Sequence, residues 1–219
     1  MITLALDAAT YVGTVCVARG SEVLLARAVA MRDPHSERLM PAVASVLGET
    51  GLSISGVDRI VCGEGPGSFT SLRIAASIAK GLALAADRPL WAVSSLALMV
   101  ASVEPPLGRG EYLAVLDALR GEWYATTCSV GEGGEVTDAG DVSLIGADEL
   151  TRIVRRGGTV IGDGRGAKGA PHARGIVRAA PLLERRGPVD LSLWEPHYGR
   201  LAEAQRRWEV AHGRPLSDA

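Results

Sequence analysis

The 219-residue sequence predicts an α/β protein in which mixed sheets form two lobes of shared design, the second reduced. Three short apolar runs at the amino terminus precede alternating helical and strand patterns, which builds a meander extended by further strands. The stretch EPPLGRG at 104–110 then interrupts the periodic segments with two prolines and two glycines. Beyond it the opening pattern returns. LALDAATYVGTVCVARG begins at Leu4 and AVLDALRGEWYATTCSVG at Ala114, each an apolar strand ending in Leu-Asp-Ala, a turn and a second strand. Such an echo suggests duplicated lobes, expected at 1–103 and 104–219, with Asp7 and Asp117 in equivalent positions.

In order along the chain, residues 2–6, 13–18 and 23–29 are β-branched or apolar runs between turn residues and read as three consecutive strands. Asp33 and Pro34 supply an N-cap and first helical residue, after which Leu39, Met40, Val43, Val46 and Leu47 recur at helical spacing. Pro41 should kink that helix near its start. A buried strand at 59–62 leads into a glycine-rich elbow and a long helix of small side chains. A strand at 90–93 and a helix over 95–103 complete the first lobe. The second lobe adds a helix near 147–154 and a strand at 159–161. At 200–212, Leu201, Ala204, Gln205, Trp208 and Ala211 share one helical face, which Gly213 and Pro215 terminate.

Composition narrows the classes. Apolar residues make up 47% of the chain, which excludes a disordered tail, and a net charge of −2 gives the whole molecule no strong pull on nucleic acid. Cys16, Cys62 and Cys128 are odd in number, widely spaced and set in apolar runs, as buried thiols in a reducing compartment would be. The start lacks a secretory pattern, and no run approaches the roughly 18 apolar residues of a membrane span. The chain is therefore expected in the cytoplasm.

Two places could carry chemistry. Asp7, at a strand end before Ala8, Ala9 and Thr10, could hold a magnesium ion through water, or could simply hydrogen-bond its own turn. The elbow from Gly63 to Thr70 is the second. Gly65 and Gly67 let the backbone approach a ligand closely, Pro66 stiffens the turn, and Ser68 or Thr70 can cap a helix whose amino terminus favours an anion. Neither common nucleotide fingerprint is present. Arg73 in the first helical turn opposes the helix dipole unless it meets an acid or anion. Farther along, Ala75, Ala76, Ala79, Gly81, Ala83, Ala85 and Ala86 leave room for close approach by another chain or by the protein's own sheet, and glycine at 81 costs about 1 kcal/mol relative to alanine, which hints that packing requires the space. The histidines form no short metal motif, there is no G-x-S-x-G elbow or CxxC pair, and the basic residues between 152 and 186 are a loose cluster.

Taken together, LALDAAT, HSERLMP, GEGPGSFTSLRIAASIAKGLALA, AVLDALRGEWYA and PHYGRLAEAQRRWE resemble the TsaB (YeaZ) family over essentially the whole chain. The resemblance implies the two-lobed actin-like, Hsp70-like ATPase (ASKHA) fold. It also implies a bacterial accessory subunit required for making threonylcarbamoyladenosine beside the tRNA anticodon. In that scheme a partner, TsaD, transfers the threonylcarbamoyl group, the ATPase TsaE joins, and tRNA is reached through the complex. The subunit is then no enzyme or protease in its own right, has no intrinsic cofactor or metal, holds ATP or ADP only at the interface within the complex, and can pair with itself when alone. The resemblance further implies a partner face on the two helices after HSERL and GPGSFT. That face comprises His35, Leu39, Met40 and Val43 on the first, and Leu72, Arg73, Ala76, Ala79, Lys80 and Ala83 on the second. Arginine at 76 or 79 should then break association and leave the fold intact.

Two positions depart from related patterns. TsaD-like proteins carry H-x-x-x-H, whereas His35 is followed four residues later by Leu39, and Ser71 stands where the family usually has glycine. The competing readings are an independent actin-like ATPase or small-molecule kinase using Asp7, the elbow and Asp117, and a metalloprotease with a metal at His35.

Overall fold

The computed structural model describes residues 1–32, 37–162 and 169–199, together with His212. The amino-terminal runs fold as β1 (Ile2–Asp7), β2 (Val12–Arg19) and β3 (Glu22–Ala30), an antiparallel meander. Residues 13–18 of β2 are buried on both faces, which is why that strand is apolar without alternation. On the far side of β1, β4 (Arg59–Gly63) and β5 (Leu90–Val93) add in parallel, giving the order β3-β2-β1-β4-β5.

Parallel pairing needs crossovers, and two helices supply them. The first, α1 (Leu39–Glu49), starts later than the sequence suggests. Arg38 occupies the N-cap, and the Glu37 carboxylate accepts the Leu39 and Met40 backbone N–H groups. Pro41 therefore falls in the first turn, where its missing N–H would have had no intrahelical partner, so the expected kink has no cause. Asp33, Pro34 and His35 lie outside the described residues.

The second crossover helix, α2 (Phe69–Ala86), ends at Asp87 in the left-handed conformation, φ 50°, whose N–H returns to Ala83 and Leu84 carbonyls. It is long and apolar enough by length and composition to cross a membrane, contrary to the expectation from the sequence. Much of that apolarity has a structural use. Leu72, Ala75, Ala76, Ala79 and Ala83 fall at spacings of three and four; the four alanines pack against the outer face of the first sheet, and Leu72 enters the core between the sheets.

Next comes α3 (Ser95–Ala101), two residues shorter than expected, buried along its whole length and capped by Ser94, whose Oγ accepts the Ala97 N–H at 3.4 Å. The second lobe contains β6 (Gly110–Asp117), β7 (Glu122–Val130), β8 (Val136–Ala139), β9 (Ser143–Gly146), α4 (Ala147–Arg155), β10 (Val160–Gly162) and α5 (Ala180–Arg186). The sequence reading did not anticipate β8, β9 or α5. The sheet order is β10-β6-β7-β8, with β9 also on β7.

The duplication is visible in the pairing. Both β1 and β6 carry an antiparallel strand on one side and a parallel strand on the other. Asp7 lies opposite Thr14, and Asp117 opposite Trp123.

Burial resolves into layers. One core joins α1 and α2 to the outer face of the first sheet, and another joins the second sheet to α4 through Leu150 and Ile145. Between the sheets, α3, the 3-10 turn Ala173–Val177 and α5 share a core with Ala5 and Cys16 on one side and Ala114 and Leu116 on the other. After α5 the chain returns to the first lobe. The Val189 N–H donates to the Leu90 carbonyl at 2.8 Å, and Trp194, 8% exposed, inserts into the core beneath α2. The expected helix at 200–212 lies outside the described residues apart from His212.

Candidate functional site

The two hairpin turns, at 8–11 and 118–121, face one another across the seam between lobes. A cavity of about 260 Å³ lies there, with Thr10, Gly67, Ser68, Asp117 and Tyr124 in its lining. Asp7, Gly65 and Thr70 do not line it. The sequence thus identified part of one cleft, and the chemistry of each residue decides what the cleft can do.

Asp7 is 0% exposed. Its Oδ2 accepts the Ser95 hydroxyl at 2.5 Å and its Oδ1 the Ala9 N–H at 3.1 Å. Burial pushes the carboxyl above the usual aspartate range, and these two hydrogen bonds pull the other way. A Cβ on Gly63 would stand 1.9 Å from Asp7 Oδ2, so that glycine is required by the carboxylate beside it. Asp117 is exposed, and its Oδ1 accepts the Leu119 N–H at 2.7 Å across its own turn. Both aspartates serve their own turns, as in the structural alternative for Asp7.

The elbow is equally occupied. A Cβ on Gly67 would lie 2.0 Å from the Ala9 carbonyl, which accepts the Ser68 N–H at 2.7 Å. Gly65, at φ 93°, faces the His197 carbonyl, 2.4 Å from where a Cβ would be. The sequence suggests that both glycines admit a ligand, whereas the groups that approach them here belong to the chain itself. Ser68 is the N-cap of α2 without a side-chain cap bond, and its Oγ instead meets Ser71 Oγ at 3.0 Å. Thr10 Oγ1 is engaged with Val12 in a local turn. Thr70 points outward.

A magnesium nucleotide, which the alternative reading as an ATPase or kinase requires, does not fit these residues: the Asp7 carboxylate is buried away from the cavity, and the elbow amide of Ser68 is spent on Ala9. Among the described residues, no three His, Cys, Asp or Glu side chains gather as a metal site would require. The thiols are remote from such chemistry too. All three are buried, and burial pushes Cys16 and Cys128 up to about 12.

The expected partner face needs correction. Leu39, Val43, Ala76, Ala79 and Ala83 are buried in the core under α1 and α2, and Leu72 is buried in the core between the sheets. The small residues let α2 approach its own sheet, so arginine at 76 or 79 would disrupt folding rather than association. Met40 and Arg73 are exposed, and Lys80 is half-buried with its Nζ 5.7 Å from the Trp194 ring. His35 is outside the described residues.

What α2 does present is a different strip. Phe69 is 37% and Leu84 77% exposed, with Thr70, Arg73, Ser77 and Gly81 on the same outward side. Among the described residues, a Cβ on Gly81 would meet nothing within 4 Å. Beside them is a depression of about 470 Å³, lined by residues including Glu37, Phe69, Arg73, Ile74 and Ser77. Size alone puts Gly81 and Ala85 in one group with the buried alanines; the spacing Ser77, Gly81, Ala85 is the signal that separates the outward side.

Comparison with known proteins adds independent information. The family model for TsaD, tRNA N6-adenosine threonylcarbamoyltransferase, matches residues 29–162. The chain is 30% identical to the tRNA threonylcarbamoyladenosine biosynthesis protein TsaB of Bacillus subtilis, over 95% of this chain and 98% of that protein. It is 36% identical to the Escherichia coli protein of the same description, over 57% of this chain and 53% of that one. Among solved structures, YeaZ from Pseudomonas aeruginosa aligns with TM-score 0.74 at 29% identity, covering 90% of this chain and 99% of that chain.

Proposed function

The chain belongs to the TsaB (YeaZ) family, and we propose that it acts in tRNA threonylcarbamoyladenosine synthesis as a non-catalytic docking subunit for a TsaD-type transferase. TsaE joins that assembly, tRNA is reached through it, and the whole works in the cytoplasm. The name carried by the relatives supports the pathway. The match to the transferase's own family model supports the manner of pairing, since a subunit built on its partner's plan can meet it through equivalent helices about a quasi-two-fold axis.

One observation carries the docking role: the outward side of α2 exposes Leu84 and an interior glycine whose small size none of the described residues requires. Gly81 costs about 0.5–1 kcal/mol relative to alanine in a helix, and the space it leaves is open. A partner helix approaching along Ser77, Gly81 and Ala85 gives that cost a purpose. The same strip serves self-pairing when the transferase is absent. The alternative of an independent ATPase or kinase is disfavoured by the engagement of Asp7 and Asp117 in their own turns.

Reconstitution on unmodified tRNA tests this. The chain alone should transfer no threonylcarbamoyl group, and the complete set with TsaD and TsaE should; transfer by the isolated chain would end the docking-subunit reading.

A further inference from the structure

Residues 194–199 cross from the first lobe's core to the second lobe's sheet and touch the elbow on the way. Trp194 is anchored beneath α2. The His197 N–H donates to the Glu64 carbonyl at 2.7 Å, and the His197 carbonyl lies over Gly65. The Tyr198 carbonyl accepts the Tyr124 hydroxyl of β7 at 3.4 Å. Gly199, at φ 72°, fits where a Cβ would be 2.4 Å from the Tyr124 ring and 2.8 Å from Pro66. This segment therefore sutures the elbow of one lobe to a strand of the other. On one flank it borders a cavity of about 920 Å³ whose rim includes the Arg186–Glu64 ion pair.

The same segment reaches the docking strip. The Tyr198 ring packs on Phe69 with centroids 4.6 Å apart, and the Arg73 guanidinium sits 5.3 Å from the Phe69 ring. Phe69 opens α2 and, with Arg73, lines the outer depression. One aromatic contact thus joins the seam between lobes to the first turn that a partner would touch.

We propose that residues 194–199 are a strap that sets the docking face, holding Phe69 and Arg73 in position through Tyr198, so that partner binding and the suture between lobes are coupled. This rests on the docking reading of α2 given above. Tyr198 is on this view a positioning residue: it shapes the surface from behind. The reciprocal effect follows by linkage, because a partner that binds the ordered first turn better must in turn tighten the strap.

The test measures affinity for the TsaD-type partner together with amide hydrogen exchange at residues 69–73 in the full chain. Tyr198→Ala should weaken docking by about five- to tenfold, the scale of one aromatic pair, and raise exchange in that turn. Tyr198→Phe, which keeps the ring, should restore both. Gly199→Ala acts from the far side, pressing on Tyr124 and Pro66, and should reproduce the loss without altering α2. Ser77→Arg should block docking while leaving exchange at 69–73 unchanged. If Ser77→Arg blocks docking but Tyr198→Ala and Gly199→Ala change neither readout, the strap proposal falls and the docking reading survives. If Ser77→Arg leaves docking intact, the docking reading falls and takes the strap proposal with it.

Discussion

At the end of β1, a carboxylate with no solvent exposure is held by one hydroxyl and one backbone N–H. Two substitutions separate its structural use from a catalytic one. Asp7→Ala leaves the Ser95 hydroxyl and the Ala9 N–H without their acceptor and should cost about 1–3 kcal/mol of stability. Asp7→Asn keeps an acceptor and removes the buried charge. Burial raises the folded-state pKa of Asp7 above the ordinary aspartate value of 3.8. Its favourable contribution is therefore complete below that value and is lost as pH rises through the raised one. The asparagine variant lacks this loss, so its stability relative to the parent should grow as the pH rises from the ordinary aspartate range upward, read from urea midpoints. A difference that stays flat across that range would remove the buried-charge argument.

Among the elements, α2 shows how far the sequence could be read. Its start, the elbow before it and the strands on either side are legible, because Gly65, Pro66 and Gly67 punctuate the chain and the apolar runs are strong. Its facing is not. An alanine-rich helix is apolar almost all round, so periodicity gives little direction, and Ala76 and Ala79 looked as suitable for a partner as for the sheet. The engaged state of Asp7 was hidden for another reason: Ser95, its hydroxyl donor, lies 88 residues away. The miss of α5 was avoidable, since Pro181 near its start and Gly187 at its end are the customary punctuation of a short helix. By contrast β8 and β9 are four-residue strands whose pairing to β7 supplies what their local pattern lacks.

The corrected facing of α2 makes opposite outcomes for neighbouring substitutions. Ala79→Arg places a guanidinium in the core beneath the helix and should yield unfolded or insoluble protein. Gly81→Ala meets open space, so it should raise stability by about 0.5–1 kcal/mol while weakening association with the partner. Thermal unfolding and a pull-down with the transferase read both effects. Tighter association on adding that methyl group would argue against a closely approaching helix.

For the whole molecule, the decisive feature is the layer between the sheets. With α3 buried along its length against residues of both lobes, neither sheet keeps its inner face covered once α3 is disturbed. The suture from α5 adds to this: Arg185 pairs with Asp138 of β8 at 2.8 Å, while the adjacent Arg186 pairs with Glu64 beyond β4. These pairs are partly exposed and individually worth on the order of 1 kcal/mol or less, so the shared apolar layer dominates the coupling. Met99 sits at its centre, fully buried, with Gly162 of β10 close by: a Cβ there would be 3.0 Å from Met99 Sδ. Met99→Ala should cost about 2–5 kcal/mol, lowering the melting temperature by roughly 5–15 °C, and should reduce hydrogen-exchange protection in β1 and β6 together through one cooperative transition. Leu150→Ala removes a side chain of equal burial from the outer core under α4, which touches the second sheet alone. Its loss of protection should begin in β6, β7 and β10 and leave β1, β4 and β5 as they were. If both variants release only the second sheet, the lobes are independent, and α3 is a passenger of one lobe instead of the bond between them.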